Sequence, residues 1–218
     1  MNAPLPVSPP CRSPLHAWFQ AHALERSEIE DAPLQFEDLS WRPRFGCKGP
    51  GAEPWLAAGG YRVPTAANSA VLGSNGVLVA RLASSEFLIE AVDAGFERVA
   101  NARARLHQRS HPSVVYPVAR QDLAIAIGGA GLNALLRQTC SVDFAPLLAA
   151  AAREGGPVVL TSMIGIGVLA WPRPTDTGPA LTLWCDPSFA HYFWSTLLAV
   201  GRDSGDVTIH PSVAGSST

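Results

Sequence analysis

Three sets of residues have types and spacings that could do chemistry. Gly129, Gly131 and Ala134 form G-x-G-x-x-A within "LAIAIGGAGLNALL" (123–136). This is the spacing of the turn that lets a dinucleotide pyrophosphate approach backbone N–H groups at a helix N-terminus. His107 and His111 in "HQRSHP" are four apart, which on a helix would set two imidazoles on one face for a metal. Asp122 and Glu86 are carboxylates available for acid–base work. None of the three closes into a mechanism. A dinucleotide site needs an acidic residue ending the next strand, about 20 residues on. The next strand-like run, "PVVLTSMI" (157–164), has none, and Glu154 precedes it. Pro112 directly follows His111 and no neighbouring acid completes a ligand set, so that segment reads as a solvated loop and no metal site is expected. No G-x-S-x-G occurs, and no Ser or Cys stands beside a sequence-local base. The glycine turn is therefore expected to serve the fold, where glycine adopts positive φ and lets a helix pack close to a strand.

The elements that would position these residues repeat along the chain. "FGCKGPGAEPWL" (45–56) aligns with "IAIGGAGLNALL" (125–136), bringing Gly49 onto Gly129 and Gly51 onto Gly131 at an offset of 129 − 49 = 80. "FLIEAVDAGFERV" (87–99) resembles "TLWCDPSFAHY" (182–192), with Asp93 on Asp186 at an offset of 186 − 93 = 93. The first copy has Pro54 where the second has Ala134, so the turn is kept without the fingerprint's last position. Each half reads strand, glycine turn, helix, extended stretch, strand, helix. The expected fold class is α+β, built as two similar halves (an internal pseudo-repeat). The expected units are an N-terminal arm and helix (1–30), a first half (31–110), a second half (111–202) and a C-terminal tail (203–218). The closing helix is expected to start at Asp186 as N-cap with Pro187 in the first position, and to end at Gly201. Phe189, Phe193, Leu197 and Val200 would form its buried stripe, with Tyr192 and Trp194 at the edge.

Composition sets the outer limits. With 47% hydrophobic and 16% charged residues in 218, the chain can bury a substantial core. A net charge of −2 with dispersed basic residues gives no electrostatic footprint for nucleic acid. No apolar run reaches the ~18–20 residues of a membrane span, and the N-terminus does not read as a signal peptide, so a cytoplasmic protein is expected. Cys11, Cys47, Cys140 and Cys185 lie far apart and read as small apolar residues.

Several segments, taken in order, resemble the gamma subunit of heterotetrameric sarcosine oxidase, a family related in fold to the glycine-cleavage T-protein (aminomethyltransferase). They are "RFGCKGPGAEPWLAAGGYRVPTAAN", "VARLASSEFLI", "YPVARQD", "CSVDF", "LTS" and "FAHYFWSTLLAV", spread over about 35–202. Two positions depart from the family pattern: Ala119 stands where a proline usually precedes R-Q-D, and Leu160 where a glutamine often precedes T-S. The resemblance implies the folate-binding fold of the T-protein. It also implies a non-catalytic assembly subunit with no cofactor of its own, partnered by larger flavin-containing subunits. Aromatic anchors would then be Trp55, Trp184, Tyr192 and Trp194. The alternative is a stand-alone folate-binding one-carbon protein resembling a truncated aminomethyltransferase. In that case tetrahydrofolate is the ligand, and Arg81, Glu86, Arg120, Gln121 and Asp122 are the polar residues to test.

Overall fold

The computed structural model describes residues 12–22, 32–92, 94–107, 114–151, 155–175 and 178–210. Its elements in chain order are α1 (His16–Ala21), β1 (Leu34–Asp38), β2 (Arg44–Lys48), α2 (Ala52–Ala58), β3 (Ser69–Leu72), β4 (Val77–Ala83), β5 (Glu86–Ala91), α3 (Phe96–His107) and β6 (Tyr116–Val118). There follow β7 (Leu123–Gly128), α4 (Leu132–Thr139), α5 (Ala145–Ala149), β8 (Gly155–Pro157), β9 (Val159–Met163), β10 (Ile166–Thr175), β11 (Gly178–Cys185), α6 (Ala190–Asp203) and β12 (Val207–His210).

The strands make two six-stranded sheets, ordered β12-β1-β7-β11-β10-β9 and β6-β2-β5-β4-β3-β8. Only the β1–β12 pairing is parallel; the other described ladders are antiparallel. Strand alternation explains why two sheets stack. On β7, Leu123, Ile125 and Ile127 face one cluster with α1, α4, α5 and α6, whereas Ala124 and Ala126 face the other sheet. On β4 and β5, Val77, Val79, Phe87 and Ile89 meet α2 and α3, whereas Leu78, Ala80 and Leu88 turn inward. The result is helices, sheet, sheet, helices, with Trp171 and Trp184 filling the middle layer. Near-continuous apolar strands follow from burial of both faces.

The chain exchanges strands between sheets. β1 precedes β2 but pairs with β7, and β6 precedes β7 but pairs with β2. β8, just ahead of β9, joins β3 in the other sheet. The expected single strand over 157–164 is thus two short strands, one in each sheet.

The closing helix differs from expectation in phase. Asp186 does cap, accepting from the Ser188 amide at 2.8 Å, but Pro187–Phe189 is a 3₁₀ turn and the α-helix proper begins at Ala190. That tighter turn swings Phe189 outward to 45% exposure. Trp194, expected at the edge, is fully buried against Trp18, Phe19 and Phe36. Gly201 lies inside the helix, where a Cβ would come within 3.2 Å of Leu34 Cδ1. Within the expected N-terminal unit the helix is observed over His16–Ala21, and residues 23–30 lie outside the described residues. Residues 1–11 of the expected arm, 211–218 of the expected tail, Asp93, His111 and Glu154 also lie outside them, whereas 203–210 of that tail close α6 and form β12, which pairs with β1. His107 ends α3, its Nδ1 2.8 Å from the Arg103 carbonyl, rather than belonging to a loop. No helix among the described residues is long and apolar enough to cross a membrane.

Candidate functional site

The two glycine turns are built alike. Gly129 has φ +102, Gly49 has φ +114, and each is followed two residues later by the N-cap glycine of a short helix. Gly131 N–H donates to the Pro33 carbonyl at 2.8 Å, and Gly51 N–H to the Val114 carbonyl at 3.2 Å. A Cβ on Gly129 would meet Pro33 O at 2.4 Å, and one on Gly49 would meet Val114 O at 2.4 Å. In both turns the glycines admit the chain entering the neighbouring strand, so the space and the N–H that a pyrophosphate would use are filled by backbone. β7 is antiparallel to both its neighbours, which leaves no βαβ unit around the turn.

The sequence-predicted polar residues divide into two places. Glu86 opens β5, Arg120 follows β6, and Asp122 precedes β7. Sheet pairing brings the three together: Arg120 Nη2 lies 3.1 Å from Glu86 Oε1 and its Nη1 3.7 Å from Asp122 Oδ1. Gly46 makes the approach possible, since a Cβ there would stand 3.1 Å from Arg120 Nε. The pairing leaves Arg120 Nε and Asp122 Oδ2 buried without a hydrogen-bond partner. Gln121 is on the same segment and exposed. Arg81 is elsewhere, paired with Glu53 at 2.9 Å and donating to the carbonyls of Pro64 and Ser84.

Arg120 and Asp122 line a cleft of about 460 Å³ whose other walls include Leu160, Thr161, Trp184 and Asp186. Beneath it lies a buried network that sequence reasoning missed. Glu90 (1% exposed) pairs with Arg44 Nε at 2.9 Å and accepts from Trp184 Nε1 at 2.7 Å. Arg44 also donates to the carbonyls of Leu39 and Asp122, both at 2.7 Å, so one guanidinium ties the two sheets below the cleft. The sequence signal was available in Glu90, a charge inside the apolar run of β5, and in Arg44 at the start of β2. Reading it as a pair would have required knowing that β2 lies beside β5.

Chemically, the cleft offers a guanidinium and carboxylates held in fixed geometry, suited to binding and orienting a polar ligand. Its Cys185 is no nucleophile at neutral pH: burial pushes the thiol up to about 12, and the nearby carboxylates of Asp122 and Asp186 add to the rise. The described residues contain no group of three or more His, Cys, Asp or Glu that could hold a metal. Of the expected interface aromatics, Tyr192 is 52% exposed, with its hydroxyl donating to the Ile164 carbonyl. Trp55 is partly buried against the α2–α3 core. Trp184 and Trp194 are 2% and 0% exposed, so as placed in this chain they cannot serve as surface anchors; packing within the fold covers both rings.

No family model and no curated protein matches this sequence. Among solved structures, one chain of the heterotetrameric sarcosine oxidase from Corynebacterium sp. U-96, in complex with pyrrole 2-carboxylate, superposes with a TM-score of 0.64 and 21% identity. The match covers 88% of this chain and 95% of that one. The glycine cleavage system aminomethyltransferase T from Bartonella henselae superposes with a TM-score of 0.53 and 15% identity, over 83% of this chain and 48% of that one. The chain thus spans about half the length of that aminomethyltransferase. At these identities the shared property is the α+β fold.

Proposed function

We propose that this chain is a gamma-like subunit of a heterotetrameric sarcosine oxidase-type complex, without a catalytic centre of its own. It works in the cytoplasm beside larger flavin-containing subunits. The observation that carries this reading is the near end-to-end superposition on one chain of such an enzyme. The matched glycine turns and exchanged strands support reading the two halves as copies of one unit, as the folate-binding fold of the T-protein implies. A partner surface has candidates in Leu160 (62% exposed), Phe189 and Tyr192, all flanking the Arg120–Asp122 cleft or the turn beside it. The test is purification of the tagged full-length chain from its native cell. Co-elution with larger chains that carry flavin absorbance is expected. A chain that elutes alone, from cells whose flavin-dependent amine oxidation survives its deletion, would overturn the reading.

One observation favours a second reading, the stand-alone folate-binding one-carbon protein. Asp122 Oδ2 is buried beside an open cleft and lacks a partner, as a carboxylate waiting on a ligand N–H would be. Calorimetric titration of the purified chain with folinic acid discriminates. Saturable one-to-one binding lost in Asp122→Asn supports tetrahydrofolate as ligand, and absence of heat removes it.

A further inference from the structure

At the far end of β11 from the Arg120–Asp122 cleft lies a second hollow of about 300 Å³. Its floor is made by small residues on two paired strands: Ala126 and Gly128 of β7 and Ala180 of β11, with Ala180 directly opposite Gly128. Sheet residues without side-chain bulk leave the space open. Glu37 of β1 and Arg42 of the following loop form part of its wall, together with Arg173 and His210, and Gln35 lies two residues before Glu37 on the same strand face. Among the described residues, neither Glu37 nor Arg42 makes a side-chain hydrogen bond or ion pair, and Arg42 Nε is fully buried without a partner. A partly buried guanidinium and a partly buried carboxylate thus face one hollow without an ion pair between them. A ligand that carries one charge of each sign, and can bridge them, supplies what both lack.

We propose that this hollow binds a small zwitterion, an α-amino acid with an aliphatic side chain. Its carboxylate lies on Arg42, its ammonium on Glu37, and its side chain over the Ala126–Gly128–Ala180 floor. The volume sits at the small end of ligand pockets, which matches an amino acid rather than a nucleotide or a folate. The site is separate from the Arg120–Asp122 cleft and does not depend on the function proposed above.

The test is an NMR titration of the isotope-labelled full-length chain with L-leucine, alongside isocaproate and isoamylamine, its analogues lacking the ammonium and the carboxylate. Saturable shifts at the amides of Ala126, Gly128 and Arg42 are expected with L-leucine, and binding about tenfold or more weaker with either analogue, since each loses a charge-assisted hydrogen bond. Glu37→Gln and Arg42→Gln should each weaken L-leucine binding by a similar factor. Gly128→Val should abolish it by filling the floor. A Cβ at Gly128 makes only ordinary contact, 3.6 Å from Ala180 Cβ, and an amide spectrum unchanged away from the hollow checks that the variant is folded. Isocaproate binding as tightly as L-leucine would mean an anion site and overturn the proposal. So would L-leucine shifts that map to the Asp122 cleft, or no shifts at all.

Discussion

The two hollows at opposite ends of β11 handle charge in opposite ways. Around the first, Arg120 is shared between Glu86 and Asp122, and below it Arg44 is shared between Glu90 and the backbone of both sheets. Around the second, Glu37 and Arg42 face the same space unpaired. Charges satisfied within the protein hold structure, and charges left unsatisfied at a concave surface are free to act on something else. By that measure the first cleft is mainly architecture with one spare carboxylate oxygen, and the second is the better-prepared site.

The sharpest way to break this contrast is to remove the network under the first cleft. Arg44→Ala strands the Glu90 carboxylate between two sheets, and we expect a loss of about 3–5 kcal/mol in urea unfolding. A loss below ~1 kcal/mol would mean that Glu90 is neutral or hydrated and that the network does not hold the sheets together. Arg44→Met with Glu90→Leu should recover much of the loss, because no charge is then left without a partner.

Gly129→Ala comes next. It places a Cβ against the Pro33 carbonyl at a positive φ, with an expected cost of about 1–3 kcal/mol. Because Gly129 directly follows Gly128, it should also weaken L-leucine binding in the second hollow while leaving the first cleft intact. Equal perturbation of both would deny their separateness.

Arg120→Ala should cost about 1 kcal/mol or less, since Glu86 is 37% exposed, so that solvent screens that pair, and the second partner, Asp122, is 3.7 Å away. A larger loss would promote Arg120 to the structural rank of Arg44. The smallest effect is pH-dependent. The side-chain hydroxyl and then the amide of Ser188 hold the Asp186 carboxyl below the usual aspartate range. A folded-state pKa below the unfolded value adds stability above the unfolded pKa, and that stability is lost as pH falls through the folded one. The stability difference between wild type and Asp186→Ala should therefore shrink on acidification below the ordinary aspartate range. A difference independent of pH would assign the cap to geometry alone.

Much of the architecture was legible before any coordinates. The glycine spacings marked both turns, and the missing acid after "PVVLTSMI" argued against a dinucleotide site, in keeping with the antiparallel setting of β7. Of the five polar residues singled out, Glu86, Arg120 and Asp122 do meet, whereas Arg81 is bound to Glu53 and the loop carbonyls. Those three were found through their segments; no spacing rule predicts the contact of Arg120 with Glu86, 120 − 86 = 34 positions away. Glu37 and Arg42 were not singled out, because a lone acid and a lone base on a strand and its loop look like ordinary surface charge.

Local patterns by themselves determined the α+β class, the glycine turns and the Asp186 cap, since each depends on backbone preferences acting over a few residues. Tertiary structure alone decided which sheet each strand joined, and with it which charges would be paired. β1, β6 and β8 carry no mark of the sheet that receives them, and their placement follows from how two twisted sheets bury their inner faces against each other. Burial of that shared layer also turned Trp184 inward, and the 3₁₀ turn after Asp186 shifted the closing helix so that Trp194 went to the core and Phe189 to solvent. Pairing across distant chain segments is a property of the assembled interior, which is where the chemistry of both hollows was set.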